Sequence, residues 1–268
     1  MSILVATNFS ETSDNAIAYA ANLAQEFKTK LVLFNAFKLP IHASNARLSA
    51  TYVENLIDKN KHKLKGIASE LTKKFGIETA SECSFSSLDQ ESDRLMKAYG
   101  SRLLVIGMSP KTMEQNLLGN PTTTLISMKR FPVLAIPVNA KFSGVKKILF
   151  ACDLLQEIPV KTLAELRRVA VHLKSEVTVF YVEQKLSELQ PISHDNIDKG
   201  LEDLTLYYKN VKSNTVIEAL ENEIRRSESE LLVMIPKKYG FWESLIHKSK
   251  TREMASGLNI PLLSIPIA

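Results

Sequence analysis

The chain has 268 residues, 45% of them hydrophobic and 24% charged, with a net charge of +5: a globular composition with enough apolar material for one large domain or two of modest size. No run approaches the roughly 18 uncharged apolar residues of a membrane helix, and the opening SILVATNFS lacks the basic, apolar and small-residue sections of a signal peptide. Two cysteines, Cys83 and Cys152, far apart in the chain, exclude a disulfide framework, so a soluble cytoplasmic protein with no membrane partner is expected.

In chain order the apolar runs are short, β-branched and mostly unalternating, as in strands buried on both faces, and segments of helical periodicity lie between them. The first half predicts strands near 3–7, 31–36, 79–85, 103–107 and 133–138. Within it DKNKHKLKGIASELTKKF holds part of a charge excess, 17 Lys and Arg against 12 Asp and Glu over residues 1–143. Leu56, Ile57, Leu64, Ala68, Leu71 and Phe75 recur there at helical spacing, which puts the lysines on the solvated side of one amphipathic helix. No aromatic residues interleave with these lysines to stack on bases, so nucleic acid is not a predicted partner. AKFSGVKK, 140–147, reads as a short polar link, and the second half predicts strands near 147–152, 177–182, 214–217, 231–235 and 262–267.

The two halves repeat one another. ILVATNFSETSDNAIAYAANLAQEFKTKLVLFNAF, from Ile3, has its counterpart in ILFACDLLQEIPVKTLAELRRVAVHLKSEVTVFYV, from Ile148; SRLLVIGMSP echoes SELLVMIPKK, and FPVLAIPV echoes IPLLSIPI. A period of about 130 to 145 residues is too long for a solenoid and fits two copies of a whole domain. Alternating strands and helices argue for a parallel α/β sheet in each copy. In such sheets ligands bind beyond the carboxyl ends of the strands, where the strand order reverses. That groups Ala6, Thr7 and Asn8, then Asn35 and Ala36, then the loop after Ile106, around one candidate crevice.

ILVATNFSETSDNAIAYAANLA, the LLVIG strand with its loop, and the closing FPVLAIPV together resemble the universal stress protein family in its tandem two-domain form. The resemblance implies two domains, 1–140 and 146–268, each a five-stranded parallel sheet with helices on both faces, Rossmann-like and similar to the adenine nucleotide alpha hydrolases. It implies a non-enzymatic stress-response protein acting through binding or regulation. It also implies pairing of the last strands, which in a tandem chain makes an intrachain pseudo-dimer; a further homodimer and unknown protein partners stay open.

Some members of that family bind ATP or AMP through Gly, two residues, Gly, nine residues, then Gly followed by Ser or Thr. In VIGMSPKTMEQNLLGNPTTTL, Gly107 takes the first place, Pro110 replaces the second glycine, only eight residues separate it from Gly119, and Asn120 replaces the hydroxyl residue. Proline fixes its backbone and has no N–H to offer a phosphate, so a cradle donor is lost. NPTTT is also explained without a ligand, with Asn120 as helix N-cap, Pro121 in the first helical position and Thr122 to Thr124 in the first turn. Two readings therefore stand for the first domain. Either the motif is degenerate and no cofactor is held, or ATP or AMP, with Mg²⁺, binds among Asn8, Ala36, Gly107 and Gly119, with Ser109, Thr122 and Thr123 supplying hydroxyls at a helix start that favours anions. Asn8 stands where the family commonly has Asp.

The second copy departs further, reading PKKYGFWESLIHKSKT after LLVMI with no later Gly-Ser pair, although Asp153 keeps the acidic residue. Lys237, Lys238, His247, Lys248 and Lys250 form an anion-friendly rim or simply an exposed loop, and Trp242 with its aromatic neighbours forms a docking patch or a helix packed on the sheet. No pair among the five histidines has metal-ligand spacing, and with nine glycines, none two apart, dinucleotide and P-loop motifs are excluded. Enzymes of this sheet topology use a glycine- and serine-rich loop after the first strand. Here TNFSETSDN has no glycine, and Ser10, Thr12 and Ser13 read as phosphate contacts, phosphorylation sites or, ordinarily for residues before such a helix, its cap; an adenine-nucleotide enzyme is thus a third reading behind the other two, and no catalytic or metal residues are expected.

Overall fold

The computed structural model describes residues 2–38, 50–108, 121–152, 158–183, 195–212, 216–236 and 259–267. The chain divides into two compact units, the first built mainly of residues up to Phe142 and the second mainly of residues from Ser143. Among the described residues no helix is long and apolar enough to cross a membrane.

In the first unit β1 (Ser2–Ala6), α1 (Glu11–Glu26), β2 (Lys30–Ala36), α2 (Ala50–Phe75), β3 (Thr79–Ser84), α3 (Leu88–Ala98), β4 (Ser101–Met108), α4 (Pro121–Met128) and β5 (Val133–Pro137) follow in order. The strands lie β3-β2-β1-β4-β5 and pair in parallel throughout. The second unit holds β6 (Lys147–Ala151), α5 (Val160–Leu173), β7 (Glu176–Glu183), α6 (Asp195–Gly200), β8 (Leu206–Lys212), α7 (Val216–Ser227), β9 (Leu231–Met234) and β10 (Leu262–Ser264). Its order, β8-β7-β6-β9-β10, is that of the first unit strand for strand, again all parallel.

Every residue of β1 is buried, and neighbouring side chains on a strand point to opposite faces, so both faces of the sheet are covered. Helix α1 achieves its share of this with small residues: Ala16, Ala20, Ala21 and Ala24 are fully buried and let its axis approach the strands closely. Asn15 on the same helix gives both amide hydrogens to carbonyls at and just past the end of β5, Pro137 and Ala140, each at 2.8 Å. Helix α2 follows its sequence pattern. Leu64, Ala68 and Leu71 are buried, Leu56, Ile57 and Phe75 half-buried, and Lys59, Lys61, Lys63, Lys65, Lys73 and Lys74 exposed. It ends at Gly76, whose φ of 64° is the left-handed conformation that lets its N–H return to the Thr72 carbonyl at 2.9 Å.

One expected strand is corrected. Val216 and Ile217, placed in a strand at 214–217, begin helix α7, and the strand is β8, Leu206–Lys212. The cause is its position at the end of the sheet order: an edge strand needs no apolar run on both faces, and LYYKNVK, with Tyr207 and Tyr208 exposed, offers none. The last strand is also shorter than expected, covering Leu262–Ser264 of the 262–267 segment.

Adjacent residues of α2 test this packing. Leu64→Ala removes a fully buried side chain and is expected to cost about 2–5 kcal/mol, whereas exposed Lys65→Ala is expected to stay within about 0.5 kcal/mol of wild type in urea unfolding. Equal effects would mean that the helix presents a different face to the sheet.

Candidate functional site

In the first unit the chain leaves β1 toward β2 and leaves β4 toward β5, in opposite directions across the sheet, so the connections part beyond the carboxyl ends of β1 and β4. The registers Ala6 opposite Phe34 and Val5 opposite Val105 set the ends of β1, β2 and β4 side by side. Ala6, Thr7 and Asn8, then Asn35 and Ala36, then Ile106 and Gly107 accordingly share one edge, and Thr122 and Thr123 open the helix that follows. Ser109, Pro110, Gly119 and Asn120 lie outside the described residues, as do Asp153 and the segment from Lys237 to Lys250 with Trp242.

The turn from β1 into α1 satisfies itself. Thr7, buried, receives the Phe9 N–H on its hydroxyl at 2.9 Å, and that hydroxyl lies 3.0 Å from Ser13 Oγ. Exposed Asn8 accepts the Ser10 N–H at 3.2 Å and the Ser10 hydroxyl at 2.6 Å, while Ser10, the N-cap, accepts the Ser13 N–H at 3.3 Å. Three backbone donors at this helix start are thereby taken by side chains. Phe9 is held at φ 62°, a conformation rare for a bulky residue, and its ring carries the Lys63 ammonium 4.3 Å from the centroid.

Beside it Asn35, 3% exposed, ties four elements together. Its amide donates to the Thr7 carbonyl at 2.7 Å, and its oxygen accepts from Asn60 of α2 at 3.1 Å and from the Cys83 thiol at the end of β3 at 3.8 Å. Burial pushes the Cys83 thiol up from its ordinary value; Lys61 acts against this and Glu91 adds to it. Asn35 thus spends both ends of its amide inside the protein, as a buried polar group must.

Gly107 answers to packing. A Cβ there would meet the Thr12 carbonyl oxygen at 2.7 Å and the Thr12 methyl at 2.9 Å, so only glycine lets α1 lie this close to β4. The Gly107 carbonyl accepts the Thr122 hydroxyl at 3.2 Å, which fastens the first turn of α4 to the strand end. α4 begins at Pro121, in keeping with the expected first helical position.

Sequence reasoning read Ser13 as part of a helix cap, but did not place Asn60 or Cys83 at the site, and these complete the Asn35 network. Asn60 carried a signal, as the lone amide in the lysine run of a long helix, where asparagine is a poor former. In the second unit the Cys152 N–H meets the Phe180 carbonyl at 3.1 Å as the Thr7 N–H meets Phe34 at 2.9 Å, so Cys152 stands in the place of Thr7 and Tyr181 in that of Asn35. The amide hub has no equivalent at those two positions. Neither Cys83 nor Cys152 is in a disulfide.

The sequence model of the universal stress protein family matches residues 1–137. Among solved structures, a universal stress protein from Archaeoglobus fulgidus DSM 4304 covers 100% of this chain and 98% of its own, with a TM-score of 0.68 at 14% identity. A functionally unknown protein from Pseudomonas aeruginosa PAO1 covers 99% of this chain and 92% of its own, at TM-score 0.59 and 16% identity. The cytoplasmic domain of a prokaryotic cation chloride cotransporter covers 99% and 95%, at TM-score 0.50 and 11% identity. These likenesses are of fold, over both halves, and a fold shared by such different proteins does not name an activity. No curated protein matches the sequence.

Two measurements check the site's geometry. Gly107→Ala forces a methyl against the Thr12 backbone and is expected to destabilise by about 1–3 kcal/mol in urea unfolding; no loss would mean that α1 and β4 stand further apart. Alkylation of Cys83, followed by peptide mass spectrometry against pH, is expected to rise through a midpoint above that of an ordinary solvated cysteine in the same digest, because a raised pKa leaves less thiolate at neutral pH. A lower midpoint would mean a solvated thiol.

Proposed function

The chain belongs to the universal stress protein family, and on that premise we propose that it is a non-enzymatic, cytoplasmic stress-response protein that works as a binding or regulatory module. The observation that supports this most is the closed β1–α1 turn. Enzymes of this sheet topology need the loop after the first strand to hold phosphates with free backbone donors, whereas here the N–H groups of Phe9, Ser10 and Ser13 are bound by Thr7, Asn8 and Ser10. A turn whose donors are held in this way shapes the mouth of a binding surface, which suits a binding role.

A second reading, ATP or AMP held in the first unit with a degenerate motif, is favoured by one contact. The Thr122 hydroxyl on the Gly107 carbonyl sets the first turn of α4 at the end of β4, so a phosphate near Gly107 meets the positive end of that helix.

Calorimetric titration of the purified chain with ATP and AMP, with and without Mg²⁺, beside a Gly119→Trp variant and an assay for ATP turnover, separates these. The expected result is no turnover; turnover that survives purification to homogeneity would sink the non-enzymatic reading. Saturable binding lost in Gly119→Trp would establish the nucleotide site, and binding indifferent to that substitution would move it elsewhere. Neither heat nor a shift in melting temperature would direct the search to protein partners.

A further inference from the structure

One turn of α2 reaches the edge where the strands of the first sheet end. Asn60 donates to Asn35 Oδ1 at 3.1 Å, and Lys63 lies over the Phe9 ring at 4.3 Å. Lys61 stands between these two residues in sequence, 4.0 Å from Asp58, and its charge is felt at Cys83, whose thiol contacts Asn35. Of the exposed lysines on this helix, Lys63 is therefore held over the turn that follows β1, and Lys61 stands in the same turn of helix, two residues before it. Two carboxylates of this neighbourhood are already engaged. Asp58 is at the limit of ion-pair distance from Lys61, and Glu91 is neutralised by Arg94, whose Nε and Nη2 meet its two oxygens at 3.0 and 2.7 Å.

At the same edge, three backbone donors of the turn into α1, the N–H groups of Phe9, Ser10 and Ser13, are already bound by side chains. Attraction for an anion there comes from ammonium groups instead. A lysine is a flexible point charge without the fixed fork of an arginine or the fixed array of a backbone cradle, so it counts charge and reads little shape.

We propose that Lys61 and Lys63 make the mouth of the first unit's crevice a site for polyphosphate chains, selected by their charge and not by an attached base. This rests on reading the crevice as a ligand site, and adds what selects the ligand. Lys63 leaves the Phe9 ring to meet the chain, an exchange of a weak cation–π contact for a charge-assisted one. Nucleoside triphosphates and inorganic polyphosphate are the two sources of this chemistry, and they differ by the nucleoside that only the first carries.

The test is titration of the full chain with ATP, adenosine and inorganic tripolyphosphate, for wild type and a Lys61→Gln, Lys63→Gln double variant, at ionic strengths of about 0.01 M and about 0.15 M. Tripolyphosphate is expected to compete with ATP and adenosine is not. Affinity is expected to fall about tenfold in the double variant and to fall again at the higher salt, while the ligand-free melting temperature stays put because both lysines are exposed. Adenosine competing as well as tripolyphosphate, or a double variant that binds as wild type does, overturns the proposal and leaves a nucleotide site standing. A drop in the ligand-free melting temperature assigns the lysines to the fold and overturns it as well. No binding of any of the three ligands overturns both the proposal and the nucleotide reading beneath it.

Discussion

A parallel sheet covered on both faces confines its polar chemistry to the strand ends, and that constraint organises the first unit. Along β1 every side chain is buried and the backbone groups pair with β2 and β4. Only past Ala6 does the chain meet groups that the ladder cannot satisfy, and there the carbonyl of Thr7 must find a partner in the interior. Asn35 supplies it and in doing so draws in α2 and β3. The edge that the topology marks as a ligand crevice is therefore first of all a place where buried backbone has to be paired.

The two halves meet this constraint with different residues. Where the first uses threonine and asparagine, the second has Cys152 and Tyr181, and where α1 begins with a serine cap, α5 follows Pro159 with no side-chain cap. The charge divides in the same way, with the excess of lysine and arginine confined to residues 1–143. Two copies of one fold have kept the strand order and let the chemistry of the strand ends diverge.

What could be read from the sequence was whatever repeats along the chain. Buried strands such as SILVA announce themselves as apolar runs, and α2 shows its inner face by spacing alone, so the architecture and nine of the ten strands followed from pattern. β8 escaped because an edge strand is only half enclosed and TVI, just beyond it, is the more strand-like text. At the candidate site the strand-end residues were found from topology, but their partners were not. Asn60 and Lys63 arrive from the middle of a helix, and Thr12 gives Gly107 its meaning only when α1 is laid on β4. Such contacts depend on where two elements cross, which periodicity does not encode.

The pairing of β1 with β4, and the hold of Asn15 on Pro137 and Ala140, separations of 122 and 125 residues, set the order of events as the chain is synthesised. β1 is made before the other strands of its sheet and becomes its middle, yet one of its edges stays open until β4 has been made, and the α1 amide lacks both of its carbonyls until Pro137 and Ala140 have been made. The first half is thus committed to late closure, with an apolar strand edge exposed to other nascent chains for most of its own translation.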